Sequence, residues 1–93
     1  MLDHFDLRSG EAYFWGTHAG AELDLLLVRG RTRVGFEFKR TSAPSVTPSM
    51  RTALTDLRLQ RLYVIHAGSD TFPLAKQILA VPLARVAADV KLL

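Results

Sequence analysis

The sequence predicts an α/β or α+β domain with a mixed β-sheet, in the order β, β-hairpin, α, β, β, α. Three observations predict it. Residues 21–28, "AELDLLLV", and 33–39, "RVGFEFK", are two strand patterns separated by "RGRT", which reads as a hairpin. Thr47-Pro48 opens a stretch in which Met50, Ala53, Leu54 and Leu57 make one apolar stripe at helical spacing. The short apolar run Leu62 to Ile65 then fits a strand buried on both faces.

The elements follow in order. Residues 1–12 have mixed character and no clear period. Residues 13–17, "YFWGT", are aromatic and β-prone, and "HAG" reads as a turn with Gly20 free to take positive φ. Gly30-Arg31 fits a two-residue II′ turn, which wants glycine first. Residues 41–48, "TSAPSVTP", form a Ser/Thr/Pro loop. Thr47 is the expected N-cap and Pro48 the first helical residue. The helix is expected to run to about Arg58, with Arg51, Thr55 and Arg58 away from the apolar stripe. A strand–helix–strand order places the 62–65 strand parallel to an earlier one by a right-handed crossover. "ILAVP" reads as a last short strand, and Leu83, Val86, Ala87 and Val90 as a closing amphipathic helix.

With 93 residues the chain is expected to be a single domain over 1–93. A chain of this size buries about 60–65% of the surface it exposes when unfolded. Apolar residues make up 48% and mean hydropathy is +0.12, which argues for a packed core and against disorder. The Leu25–Val28 run is far short of the ~20 apolar residues of a membrane helix. The N-terminus has early acidic residues and no leader pattern. The absence of cysteine excludes disulfides, thiolate nucleophiles and thiolate metal sites. Together these lead to an expected cytoplasmic location without membrane association.

Charge is unevenly spread. The net charge is +3 and the pI about 9.8. Between Arg29 and Arg61, eight basic residues stand against Glu37 and Asp56. A basic middle suits a polyanionic partner, and an ordinary solvated surface explains it equally.

The turn at Gly30-Arg31 sets a register. Leu27 opposes Val34, Leu25 opposes Phe36 and Leu23 opposes Phe38, apolar on apolar. On the other face Asp24 opposes Glu37 and Glu22 opposes Lys39. Facing carboxylates repel unless a proton, a cation or a metal compensates. Two carboxylates with waters suit Mg²⁺, and Lys39 beside such a metal would position or deprotonate a water, or stabilise charge on an attacked phosphate. The plain alternative is a solvated face with a Glu22–Lys39 salt bridge of about 0–1 kcal/mol.

The spacing of Asp24 and Glu37-x-Lys39 on a hairpin followed by a helix and a strand resembles the PD-(D/E)xK nucleases, with their restriction-endonuclease-like core. The wider wording, "YFWGTHAGAELDLLL…GFEFKRTSAPSVTPSMRTALTDL…YVIHAG…LAVPL", resembles the C-terminal domain of unknown function of bacterial and archaeal AAA-type ATPases. There a "GxExD" strand precedes an "ExK" strand, a Ser-rich loop and a helix. The resemblance runs from about Tyr13 to Leu93. It implies a central hairpin flanked by helices, and metal-dependent hydrolysis of DNA phosphodiester bonds. It further implies Asp24 and Glu37 as metal ligands and Lys39 as the catalytic lysine. Glu22 would be a further ligand or a partner for Lys39, and Mg²⁺ or Mn²⁺ the cofactor.

Two departures stand out. Leu23 replaces the motif's proline, and residues 1–12 are short for the family's opening helix, although Asp3, Asp6 and Glu11 are present. No GxxxxGK[ST] loop occurs, so an ATPase partner is expected in cis on a longer chain or in trans, and a homodimer is a further expected state. The competing function is an inactive module of the same fold for oligomerisation, docking or nucleic-acid binding. Arg40, Arg51 and His18 are candidate nucleic-acid contacts, with His18 also a candidate ligand or base. Arg58 is another candidate phosphate contact, and Trp15 a candidate stacking residue. His66, at a strand end, reads as structural.

Overall fold

The structure, a computed structural model, describes residues 11–16 and 22–90. Six strands form one mixed sheet in the order β1-β2-β3-β4-β6-β5. They are β1 (Glu11–Gly16), β2 (Glu22–Arg29), β3 (Thr32–Phe38), β4 (Arg61–His66), β5 (Phe72–Ala75) and β6 (Ile78–Pro82). Helix α1 (Pro48–Asp56) joins β3 to β4. A 3-10 turn (Leu83–Arg85) and one helical turn, α2 (Val86–Asp89), follow β6. β1, β2 and β3 pair antiparallel, β3–β4 and β4–β6 parallel, and β5–β6 antiparallel. Among the described residues no helix is long and apolar enough to cross a membrane.

The expected hairpin is present. Arg29 pairs with Thr32, Leu27 with Val34 and Leu25 with Phe36. Gly30 has φ 60, while Arg31 does not share the positive φ, which is the II′ pattern. The expected helix start also stands: the Thr47 hydroxyl accepts the Met50 N–H at 3.2 Å, with Pro48 at the first position.

The sheet carries a hydrophobic cluster on each face. On the α1 side lie Leu23, Leu26, Met50, Ala53, Leu59, Leu62, Val64 and Ile78. On the other lie Leu25, Leu27, Val34, Phe36, Tyr63, Ile65, Val81 and Val86. β4 feeds both clusters, so its unbroken apolar run is what a strand buried on two faces requires. Phe36 and Tyr63 stack with ring centroids 5.5 Å apart. Arg85 makes a two-pronged ion pair with Asp89, at 2.8 and 3.1 Å, and the Thr71 hydroxyl also donates to Asp89. The pair raises the Arg85 pKa through its hydrogen bond and charge. α2 is thereby tied to the segment before β5.

Four expectations change. Leu23 does not join Leu25 and Leu27 opposite Phe38. Between the pairs Tyr13–Leu26 and Trp15–Leu23, β2 holds one residue more than β1. That bulge turns Leu23 onto the α1 face. Phe38 is left exposed. Second, β5 is a strand that sequence periodicity misses, because it is four residues long and contains Pro73. Proline fits there because β5 is the sheet edge. Third, the closing helix is shorter than expected: Val90 is already extended and Leu83 is exposed. Fourth, α1 stops at Asp56. Arg58 takes φ 51, a left-handed conformation costing a residue with a side chain about 1–2 kcal/mol.

Candidate functional site at the end of the central strands

The bulge in β2 decides where Asp24 goes. The β2–β3 ladder extends to the Leu25–Phe36 pair. Beyond it, the Asp24 carboxylate accepts the Phe38 N–H at 2.7 Å. Asp24 therefore meets β3 at the peptide between Glu37 and Phe38, where the expected Asp24–Glu37 ladder pair would have stood. Bulges are a recurrent means of re-aiming one side chain near a site.

Glu37 lies on the α1 face of β3 and is 6% exposed. The Lys39 ammonium is 3.7 Å from its Oε1. A buried carboxylate beside an ammonium is favoured over an isolated one. Lys39 is held by its backbone, whose N–H donates to the Ile65 carbonyl at 2.8 Å, and its side chain remains partly open to solvent. The sequence thus brings Asp24, Glu37 and Lys39 to one end of the parallel strands. α1 connects β3 to β4 and ends beside Arg33, whose carbonyl accepts the Gln60 N–H at 2.9 Å. The helix N-terminus consequently points toward the end of β3 that carries the three residues.

The donor set fits a hard divalent cation in chemistry. Asp24 and Glu37 offer carboxylate oxygens, and waters would complete the shell that Mg²⁺ prefers. Among the described residues no group of three or more His, Cys, Asp or Glu side chains gathers as a ready metal cage. The Glu22 side chain, the expected third acid, lies outside the described residues, as do His18, the Trp15 side chain, Asp3 and Asp6. The Glu22–Lys39 pairing falls there too.

Arg40 is exposed, directly after Lys39. Arg51 is exposed on the first turn of α1. His66, at the end of β4, is structural. Its Nδ1 accepts the Gly68 N–H at 3.0 Å, so the ring proton sits on Nε2, which donates to the Asp70 carbonyl at 2.9 Å. His66 is 2% exposed and its ring tilts against Phe72. With both nitrogens engaged, it offers the site no base. What sequence reading did not find is the partner of Asp24, because a backbone N–H leaves no trace in residue type.

Two curated relatives are the uncharacterized protein Rv2008c of Mycobacterium tuberculosis and the uncharacterized protein Mb2031c of Mycobacterium bovis. Each is 46% identical over 76 residues, covering 82% of this chain and 17% of the relative. The chain thus spans less than a fifth of the length of these relatives. No solved structure matches it. The domain of unknown function DUF4143 matches residues 1–86, and the chain belongs to that family.

Proposed function

We propose that this domain is a metal-dependent nuclease-like unit of the PD-(D/E)xK kind, hydrolysing DNA phosphodiester bonds and working with an AAA-type ATPase. The supporting observation is the convergence at one strand end of a bulge-directed Asp24, a buried Glu37 and a Lys39 ammonium 3.7 Å from it. Asp24 and Glu37 would hold Mg²⁺ or Mn²⁺, with Glu22 as a third candidate. A bound divalent cation supplies Lewis-acid activation of a phosphoryl group and of water. The protein's own contributions are separate. Lys39 keeps a positive charge at the site, available to the phosphate charge that develops during hydrolysis. The Phe38 amide fixes the Asp24 carboxylate. Burial of Glu37 keeps one acid in a low-dielectric setting where its pull on a cation is strong.

The test is cleavage of plasmid and single-stranded DNA with Mg²⁺ or Mn²⁺, alongside Mn²⁺ binding by calorimetry. Asp24→Asn keeps an oxygen for the Phe38 N–H but removes the charge. It is expected to stay folded, bind Mn²⁺ at least about tenfold more weakly, and lose cleavage. Lys39→Ala is expected to retain Mn²⁺ and lose at least about 100-fold in rate.

One observation favours a second reading, a non-catalytic docking module. The hydrogen bond to Phe38 gives Asp24 a structural role without metal. A folded wild type that neither binds Mn²⁺ nor cleaves DNA would select that reading.

A further inference from the structure

The opposite end of the central strands carries a second polar feature. α1 ends in a Schellman turn, with the Arg58 N–H on Thr55 O at 3.3 Å and the Leu59 N–H on Leu54 O at 3.1 Å. The residue past the cap in such a turn is left-handed and usually glycine. Here it is Arg58, the one non-glycine position with positive φ among the described residues. Arg58 lines an open depression of about 410 Å³ with Gly30, Arg31, Arg33 and Asp56. Three arginines and one aspartate line it, an excess of two positive charges. No ion pair to Asp56 takes up any of them among the described residues.

Capping accounts for one of the three. The Arg33 Nη1 donates to the Leu57 carbonyl at 3.1 Å, as expected of a cation at a helix C-terminus. Its backbone N–H is held by Gln60 Oε1 at 2.9 Å. Arg33 is thus a fixed wall. Arg31 and Arg58 are not needed for that job, and Arg58 occupies backbone that glycine would adopt with less strain. Strain retained at a charged position is a pointer to function. Gly30, on the exposed turn, adds no side chain to the depression, and nothing lies within 4 Å of where its Cβ would stand.

We propose that this depression is a phosphate-binding site, with Arg31 and Arg58 supplying the charge and Arg33 the fixed wall. Clustered arginines suit a phosphate, whose several oxygens accept forked hydrogen bonds. The phosphate could belong to a nucleic-acid backbone or to a small phosphorylated molecule. Arg33 and Glu37 stand four positions apart along β3, roughly 13 Å, so the site stands independently of the nuclease reading.

The experiment is amide NMR of the whole chain, titrated separately with sodium pyrophosphate and with a short DNA duplex. Ionic strength is held constant with chloride. Saturable shifts at the amides of residues 30–33 and 57–59 are expected with pyrophosphate, with the duplex, or with both. Shifts with pyrophosphate alone assign a small ligand; shifts with the duplex alone assign a polymer backbone. Arg58→Gly is expected to raise the melting temperature by several degrees, about 4–8 °C, yet weaken the responding probe at least about tenfold. Arg31→Gln, on the exposed turn, is the second variant and should weaken binding similarly. The proposal is overturned if neither probe shifts these amides beyond the chloride control, or if both variants bind like wild type.

Discussion

Asp24 and Gly35 mark how closely single residues define the candidate site. The Asp24 side chain takes the Phe38 N–H, so its position is set by the backbone of β3. Gly35 lies on the same face of β3 as Glu37, two residues before it. A Cβ at Gly35 would stand 2.8 Å from a Leu59 methyl, 2.9 Å from Leu23 and 3.0 Å from Leu62. Three buried side chains would have to move together. Gly35→Ala is expected to lose about 1–3 kcal/mol of stability, measurable by urea unfolding. Leu23 adjoins Asp24 in sequence, so the same substitution should disturb the Phe38 N–H contact. Stability equal to wild type would mean that the leucines have room to retreat.

At the scale of elements, α1 carries the α1-side core and leads from the site to the arginine-lined depression. Its start depends on a single cap, Thr47. Thr47→Ala is expected to cost about 1 kcal/mol. Met50 and Ala53 are its fully buried residues. Met50→Ala is expected to cost about 2–5 kcal/mol through lost burial and an unfilled cavity. The two measurements separate local from tertiary support for the helix. If Thr47→Ala cost as much as Met50→Ala, the cap would have to hold more than its own turn. β5 belongs to this scale too. It is a short, proline-bearing edge, and such features oppose strand-to-strand association.

At the scale of the molecule, charge and shape act together. The described chain spans 31 × 31 × 21 Å, and its longer extents are comparable to the length of a helix of about twenty residues or to about one turn of duplex DNA. Arg40 and Arg51 are exposed at the end of the sheet that bears Asp24, Glu37 and Lys39. If DNA lies across that end, log affinity should fall linearly with log salt. Arg40→Gln and Arg51→Gln should each reduce the slope by about one phosphate contact. Fluorescence anisotropy at several salt concentrations measures this. Unchanged slopes would remove both arginines from the interface.

Much of the scaffold was legible in the sequence. Alternation of apolar residues across Gly30-Arg31 specified the hairpin register because the strand period is two. Thr47-Pro48 specified the helix start because its chemistry acts within one turn. The pattern also brought Asp24, Glu37 and Lys39 to one end of the hairpin. Only the tertiary structure decided the rest. The extra residue in β2 that turns Leu23 and re-aims Asp24 is defined by pairing with β1. β5 exists as a strand through its partner β6, and His66 is satisfied by a loop that closes over it. Arg58 enters its depression because the Schellman turn folds α1 back toward the start of β3. Local propensity and periodicity are properties of a short stretch, whereas bulges, edge strands and converging side chains depend on what packs across from them.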